Sequence, residues 1–232
     1  MTQSVVAYGD PHGEYENLFR ELDKETPDAV IILGDMTKDS RIGEKVTPID
    51  EELAPLLDAG IPTFWIPGNH DSDTEEQYDA TFGALPEQNL HGKVRSIFGG
   101  KLRVGGLGGV FRGRIWFPHK GLNETPAYYS PEDLLEDLPK FQQWRNGIPL
   151  RHRASIFKSD ADALKMAGAD ILVTHEAPSS MQYGFHGLDQ LSEDMGAKVI
   201  LHGHHHIGYE KDLPNGRRVR GVGLREAIRI RL

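Results

Sequence analysis

Short apolar runs, each cut off by a polar or glycine-containing turn, set the rhythm of this chain. SVVAY precedes GDPHG, DAVIIL precedes GD, IPTFWI precedes PGNHD, DILV precedes THEAP, and KVIL precedes HGHHH. Runs this short, rich in β-branched residues and bounded by turn formers, read as buried strands. Helical patterns separate some of them. Glu14 to Leu22 places Leu18, Phe19 and Leu22 on one face, Ser159 to Ala167 is closed by Gly168, and Leu188 to Met195 is closed by Gly196. Strands alternating with helices predict a sheet buried on both faces. KLRVGGLGGVF and the C-terminal RRVRGVGL and AIRIRL read as further strands, so the sheet is expected to be mixed and doubled into a sandwich. Residues 112 to about 158 break the rhythm. They carry Trp116, Pro118, Tyr128, Tyr129 and Trp144, a helix start at Ser130-Pro131-Glu132-Asp133, and a basic cluster of Arg145, Arg151 and Arg153. This stretch is expected to be an insertion or cap on a single domain spanning 1–232.

Composition narrows the chemistry. Of 232 residues none is cysteine, which excludes disulfides, thiolate nucleophiles and Cys-ligated zinc. The formal charge of −9 disfavours a nucleic acid substrate held by its phosphate backbone. The N-terminal MTQSVVAYGD has neither the basic nor the apolar stretch of a signal peptide, and no apolar run approaches the ~20 residues of a membrane span. A cytoplasmic protein without membrane contact is expected.

Every one of the five leading strand candidates ends in metal-compatible side chains: Asp10 and His12, Asp35, Asn69 with His70 and Asp71, His175, and finally His204 and His206. Singly, each has an ordinary explanation: Asp and Asn cap turns, and a lone His is usually just hydrogen-bonded. Five such ends, each directly after an apolar run, form a constellation, because ligands of open α/β sheets bind beyond the carboxyl ends of strands. Oxygen and imidazole donors without sulfur suit Mn, Fe, Zn or Ni. Seven candidate ligands exceed one tetrahedral zinc site and match two ions sharing a carboxylate. Other motifs fail: GGLGG at 105–109 lacks the dinucleotide-binding register, no phosphate-binding P-loop occurs, and in DSDTEE, Glu76 stands where a calcium loop needs glycine.

In their order, DPH (10–12), GD (34–35), GNHD (68–71), TH (174–175) and GHHH (203–206) resemble the calcineurin-like metallophosphoesterase superfamily. The resemblance implies an α/β fold, the metallophosphoesterase-type four-layer α/β/β/α sandwich with two mixed sheets. It implies a hydrolase of small phosphate esters, with phosphodiester or nucleotide-like substrates favoured over phosphomonoesters. It further implies two divalent transition-metal ions, manganese first. Asp10, His12, Asp35 and His206 would hold one ion, and Asp35, Asn69, His175 and His204 the other, with Asp35 bridging. His70 would be the catalytic histidine beside the phosphate, with His205 at a variable position and His202 a strand residue. Gly203 is expected to let the backbone turn, and Glu176 and Pro178 to be turn residues. One departure matters. Lys38 stands where protein phosphatases of this superfamily carry the acidic residue that orients the catalytic histidine, leaving Asp39 or Asp71 to serve. That makes a protein phosphatase a poor fit. A non-catalytic scaffold of the same fold is the rival reading, but such members lose ligands that this chain keeps. A mononuclear amidase leaves Asn69 unexplained.

Overall fold

A computed structural model describes residues 3–231. Ten strands run in chain order: β1 (Ser4–Tyr8), β2 (Ala29–Ile32), β3 (Thr63–Trp65), β4 (Lys93–Ile97), β5 (Leu102–Leu107), β6 (Ile171–Thr174), β7 (Val199–His202), β8 (Tyr209–Asp212), β9 (Arg218–Gly221) and β10 (Ala227–Arg231). They form a four-stranded sheet ordered β10-β1-β2-β3 and a six-stranded sheet ordered β4-β5-β6-β7-β9-β8. Both are mixed. β1, β2 and β3 run parallel with β10 antiparallel, while β5, β6, β7 and β9 run parallel between antiparallel edges β4 and β8. The helices are α1 (Glu16–Leu22), α2 (Ile49–Glu52), α3 (Ala54–Asp58), α4 (Glu75–Tyr78), α5 (Pro131–Asp137), α6 (Lys158–Ala167) and α7 (His186–Asp194).

The period-2 alternation of strand side chains creates the layers. Val6, Tyr8, Val30, Ile32 and Trp65 face outward and pack with Leu18 of α1, Ile49 of α2 and Leu56 of α3. Their neighbours Val5, Ala7, Ala29 and Ile31 face inward and meet Val104, Ile171, Val173 and Leu201 of the second sheet. Leu107 and Leu172 face away on the far side, against Ala161 and Leu164 of α6 and Leu188 and Leu191 of α7. Three apolar seams therefore join four layers, α/β/β/α, as expected. Burying both faces explains why these strands read as continuous apolar runs.

The insertion contributes to the third seam. Ile115, Trp116, Leu134 and Ile148 pack in the same cluster as Leu107, Leu172 and Leu188. Its helix α5 starts where the sequence indicates: Ser130 Oγ accepts from the Asp133 amide at 3.3 Å and Asp133 Oδ2 accepts from the Ser130 amide at 3.2 Å, a capping box. The expected helices begin at Glu16, Lys158 and His186 rather than at 14, 159 and 188. Strands β4 and β8 lie outside the sequence-based reading. Among the described residues, no helix is long and apolar enough to cross a membrane.

The two sheets approach closely at Gly106 of β5. A Cβ there would meet Leu90 Cβ at 2.5 Å and Ile66 Cγ2 at 2.9 Å, both in the inter-sheet seam. Overpacking of this kind costs ~1–3 kcal/mol. Gly106→Ala is expected to lower unfolding free energy by about that amount in urea titration, and an unchanged midpoint would mean the seam is looser than described.

Candidate metal centre

The strand ends converge. Asp10, His12, Asp35 and His206 each offer a ligand atom, and these atoms lie within 4.8 Å of one another. His12 Nε2 faces His206 Nε2 at 3.4 Å, and His206 Nε2 lies 3.7 Å from Asp10 Oδ1. A second group meets the first at Asp35. His175 Nε2 is 3.5 Å from Asp35 Oδ2 and 3.1 Å from Asn69 Oδ1. The His204 ring lies tilted beside it, with ring centroids 4.8 Å apart. The seven other sequence-derived site residues thus gather around Asp35. His70 joins through its amide, which donates to Asp35 Oδ1 at 2.9 Å, and through its ring, 5.8 Å from that of His12.

Backbone conformation is strained here. Asp10, His12, Asp35, His204 and His206 all have φ between 44° and 69°. That is half of the ten non-glycine residues with positive φ among those described, and such strain persists only where the surroundings over-determine it. Gly203 is not left-handed. Glycine is required there because a Cβ would strike Asp10 Oδ2 at 2.6 Å, as Asp10 accepts the His204 amide at 3.0 and 3.1 Å.

The donor set fits a cation. His175 Nδ1 donates to the Leu33 carbonyl at 2.7 Å, which fixes the ring with Nε2 turned inward at Asp35 and Asn69. Fixing one imidazole nitrogen on a carbonyl is how metal-binding histidines are oriented. Burial, with the Asp35 charge added, pushes Asp10 up to about 8. Burial also acts to raise Asp35, yet His175 and the His70 amide and ring outweigh it and hold its pKa below the ordinary range. His204 is pushed down to about 3 by burial and by His175. Burial lowers the pKa of His12, His204 and His206 and crowds them against buried carboxyls, so nitrogen and oxygen donors collect in one crevice.

Two sequence expectations need correction. Neither Asp39 nor Asp71 touches His70. Asp71 is fully buried and accepts the amides of Asp35, Met36 and Gly68 at 3.0, 2.7 and 2.7 Å, stapling the two turns together. Asp39 binds Arg41, which pairs in turn with Asp73 at 2.8 Å. The carboxylate on His70 is Asp73, whose Oδ2 lies 2.6 Å from Nδ1. Its three-residue spacing from His70 was a signal available in GNHDSD. Glu176 is likewise no simple turn residue. It is buried, its Oε1 accepts the Phe111 amide at 3.1 Å, and its Oε2 lies 3.9 Å from His204 Nε2. Burial, opposed by that amide and by Arg112, pushes it up to about 7. His202 ends β7, with Nε2 at 2.7 Å from the Tyr209 hydroxyl, in keeping with its strand role.

With this architecture and these motifs, the chain belongs to the calcineurin-like phosphoesterase family, whose profile matches residues 4–208. It is 38% identical over 224 residues to an uncharacterized protein of Haemophilus influenzae, covering 95% of this chain and 91% of that one. The fold is similar to that of the TT1561 protein of Thermus thermophilus, with a TM-score of 0.59 at 20% identity, over 97% of this chain and 91% of that one. It is also similar to the 5'-nucleotidase of Candida albicans, with a TM-score of 0.52 at 16% identity, over 95% of this chain and 46% of that one.

The basic residues of the insertion divide into two kinds. Arg145 pairs with Asp79 and Glu75, and Arg153 lies 5.5 Å from the Trp144 ring centroid and 5.9 Å from that of Tyr78. These two hold the insertion to α4. Arg112, Arg114 and Arg151 surround the buried His152 instead, and His152 is pushed down to about 4 by burial and then by these three charges. The unfolded chain therefore binds this proton first, near the ordinary 6.5. Stability is full above that pH and falls as pH drops from 6.5 towards 4, by at most ~1.4 kcal/mol per pH unit for one proton. Urea midpoints at pH 7 and pH 5 are expected to drop further for the wild type than for His152→Gln. Equal drops would remove His152 from the acid response.

Proposed function

We propose that the chain is a dinuclear metal-dependent phosphoesterase acting on small phosphodiester or nucleotide-like substrates. The observation that carries this reading is the position of Asp35, a buried carboxylate shared by two donor sets. Asp10, His12, Asp35 and His206 would hold one ion, and Asp35, Asn69, His175 and His204 the other. Bound metal would supply Lewis-acid polarisation of the phosphoryl oxygens and lower the pKa of water for attack at phosphorus. Oxygen and nitrogen donors without sulfur agree with manganese, and equally admit iron, zinc or nickel.

His70 performs the step that falls to the protein alone. Asp73 takes the Nδ1 proton as a hydrogen bond at 2.6 Å, which orients the ring and leaves Nε2 for the substrate. The amide of His70 is anchored on Asp35, so ring and phosphate site share one turn. From there His70 protonates the leaving oxygen as the P–O bond breaks. Asp73 acts through His70 as a positioning residue, and Arg41 braces Asp73 in turn.

Elemental analysis of protein grown with manganese is expected to approach two ions per chain, and Asp35→Asn to disturb both sites. A folded protein that takes up no transition metal on dialysis sinks this reading. His70→Asn is expected to keep both ions and near-native stability while slowing turnover, towards the ~10²–10⁴-fold typical of lost acid–base catalysis for poor leaving groups and less for nitrophenyl phosphate. Asp73→Asn is expected to shift kcat in the same leaving-group-dependent order with KM little changed. Equal losses for both leaving groups would assign His70 to stabilising phosphoryl charge instead.

A further inference from the structure

A chain with 35 acidic and 26 basic residues has carboxylates to spare, and many of its arginines take one. Arg41, Arg145, Arg218, Arg229 and Arg231 all form ion pairs. Arg112, Arg114 and Arg151 form none among the described residues, although like charges repel when gathered. They line one cavity of about 360 Å³ together with Phe111, Gly113 and His152. That is the size of a small-molecule subsite. Arg112 Nε is buried without a hydrogen-bond partner. Arg151 Nε donates to His152 Nε2 at 3.2 Å, and His152 Nδ1 is bonded to Ser155 Oγ at 3.1 Å, so the one side chain that could have shared the charge stays neutral and serves as a post.

The cavity abuts the metal centre. Phe111, in its wall, donates its amide to Glu176, and Glu176 lies beside His204. Arg112 is within charge reach of Asp73, the residue that orients His70. Arg112 feels the charges of both Asp73 and Glu176, which makes the cavity the candidate place for the group that leaves. A guanidinium is matched to phosphate by its planar fork of donors, and three converging forks suit a phosphate better than a singly charged carboxylate. The small volume and the −9 net charge disfavour a polyanion as occupant.

We propose that Arg112, Arg114 and Arg151 bind a second phosphate group carried on the leaving group, so that the substrate is a small phosphate ester bearing two phosphates. This rests on the phosphoesterase reading above. In the reaction, water adds its oxygen to the scissile phosphorus, the P–O bond to the leaving group breaks, and that oxygen gains a proton. The released alcohol keeps the second phosphate.

Two arms test the proposal. Inorganic pyrophosphate is titrated calorimetrically into the full chain after chelator dialysis, comparing wild type with R114Q/R151Q and with R112Q/R114Q/R151Q. Arg114 and Arg151 are exposed, so the double variant reads binding without a folding defect. A charged hydrogen bond carries roughly 1.5–3 kcal/mol, about 10-fold or more in affinity. The variants are expected to weaken pyrophosphate binding by at least that factor, and added salt to weaken the wild type. The manganese-loaded enzymes are then compared on a nucleoside 3′,5′-bisphosphate and the matching monophosphate. The wild type is expected to favour the bisphosphate through KM, and the variants to lose that preference about 10-fold or more, with Arg114→Lys losing less. Equal pyrophosphate affinity in wild type and variants, or an unchanged preference, overturns the proposal. Pyrophosphate binding that needs the arginines, in a chain that hydrolyses no ester, supports the anion site and sinks the phosphoesterase reading instead.

Discussion

Three buried carboxylates in one crevice impose the constraint that organises this molecule. Asp10, Asp35 and Asp71 are all withdrawn from water, and each raises or answers the charge of another. Removing an ion from water costs several kcal/mol even after relaxation, so each carboxylate must find donors or a cation. Asp71 finds them in the backbone, accepting three amides from the turns after β2 and β3. Asp10 and Asp35 find only part of what they need, in the amides of His204 and His70. Their remaining oxygens face the ring nitrogens of His12, His175 and His206 at 3.9, 3.5 and 3.7 Å. Positive charge placed between them would relieve this crowding, and that is why the donor set reads as a metal site.

The layers exist to hold those turns in register. Alternation along β1 and β2 sends every second side chain to the helices and the rest to the second sheet, so each strand is pinned on both faces. Strands fixed in this way have no freedom to slide, and their carboxyl ends stop at one edge. The sheets meet closely at Gly106, and at their other strands Asp10, after β1, accepts the His204 amide after β7 at 3.0 Å. The positive φ at Asp10, His12, Asp35, His204 and His206 is sustained by that rigidity. Packing and chemistry are therefore coupled through the backbone rather than through side chains alone.

What could be read from the sequence follows the same division. The buried strands announce themselves as apolar runs, and each is followed within a few residues by its Asp, Asn or His, so the crevice is legible in the sequence itself. The two antiparallel edge strands of the six-stranded sheet are different. β4 reads KVRSI and β8 reads YEKD, with charged residues on exposed positions, and neither departs from the pattern of a polar loop. The partner of His70 depended on a three-dimensional choice among Asp39, Asp71 and Asp73, whose identical chemistry conceals three roles: bracing Arg41, stapling turns, and orienting the ring. Glu176 looked like turn chemistry because its burial depends on residue 111, brought to it by another part of the chain. In the insertion the arginines were visible as a cluster, but only tertiary contacts separate Arg145 and Arg153, which are spent on Asp79 and aromatic rings, from those left unpaired.

The acidic metal crevice and the basic cavity beside it complete one electrostatic design. A phosphate ester approaching a chain of net charge −9 is repelled at long range, and screening confines that repulsion to about 8–10 Å at ordinary ionic strength. Inside that distance local charge decides. Unpaired guanidiniums at the rim offer attraction where the dissolved anion first meets the surface, and metal charge would take over deeper in. His152 keeps the rim basic, because a histidine held neutral adds no further repulsion among its neighbours and still fixes Arg151 in place. The insertion thus differs from the rest of the fold in what it contributes. The sheets set the positions of the clustered Asp and His side chains, and the loop that follows β5 sets unpaired guanidiniums beside them.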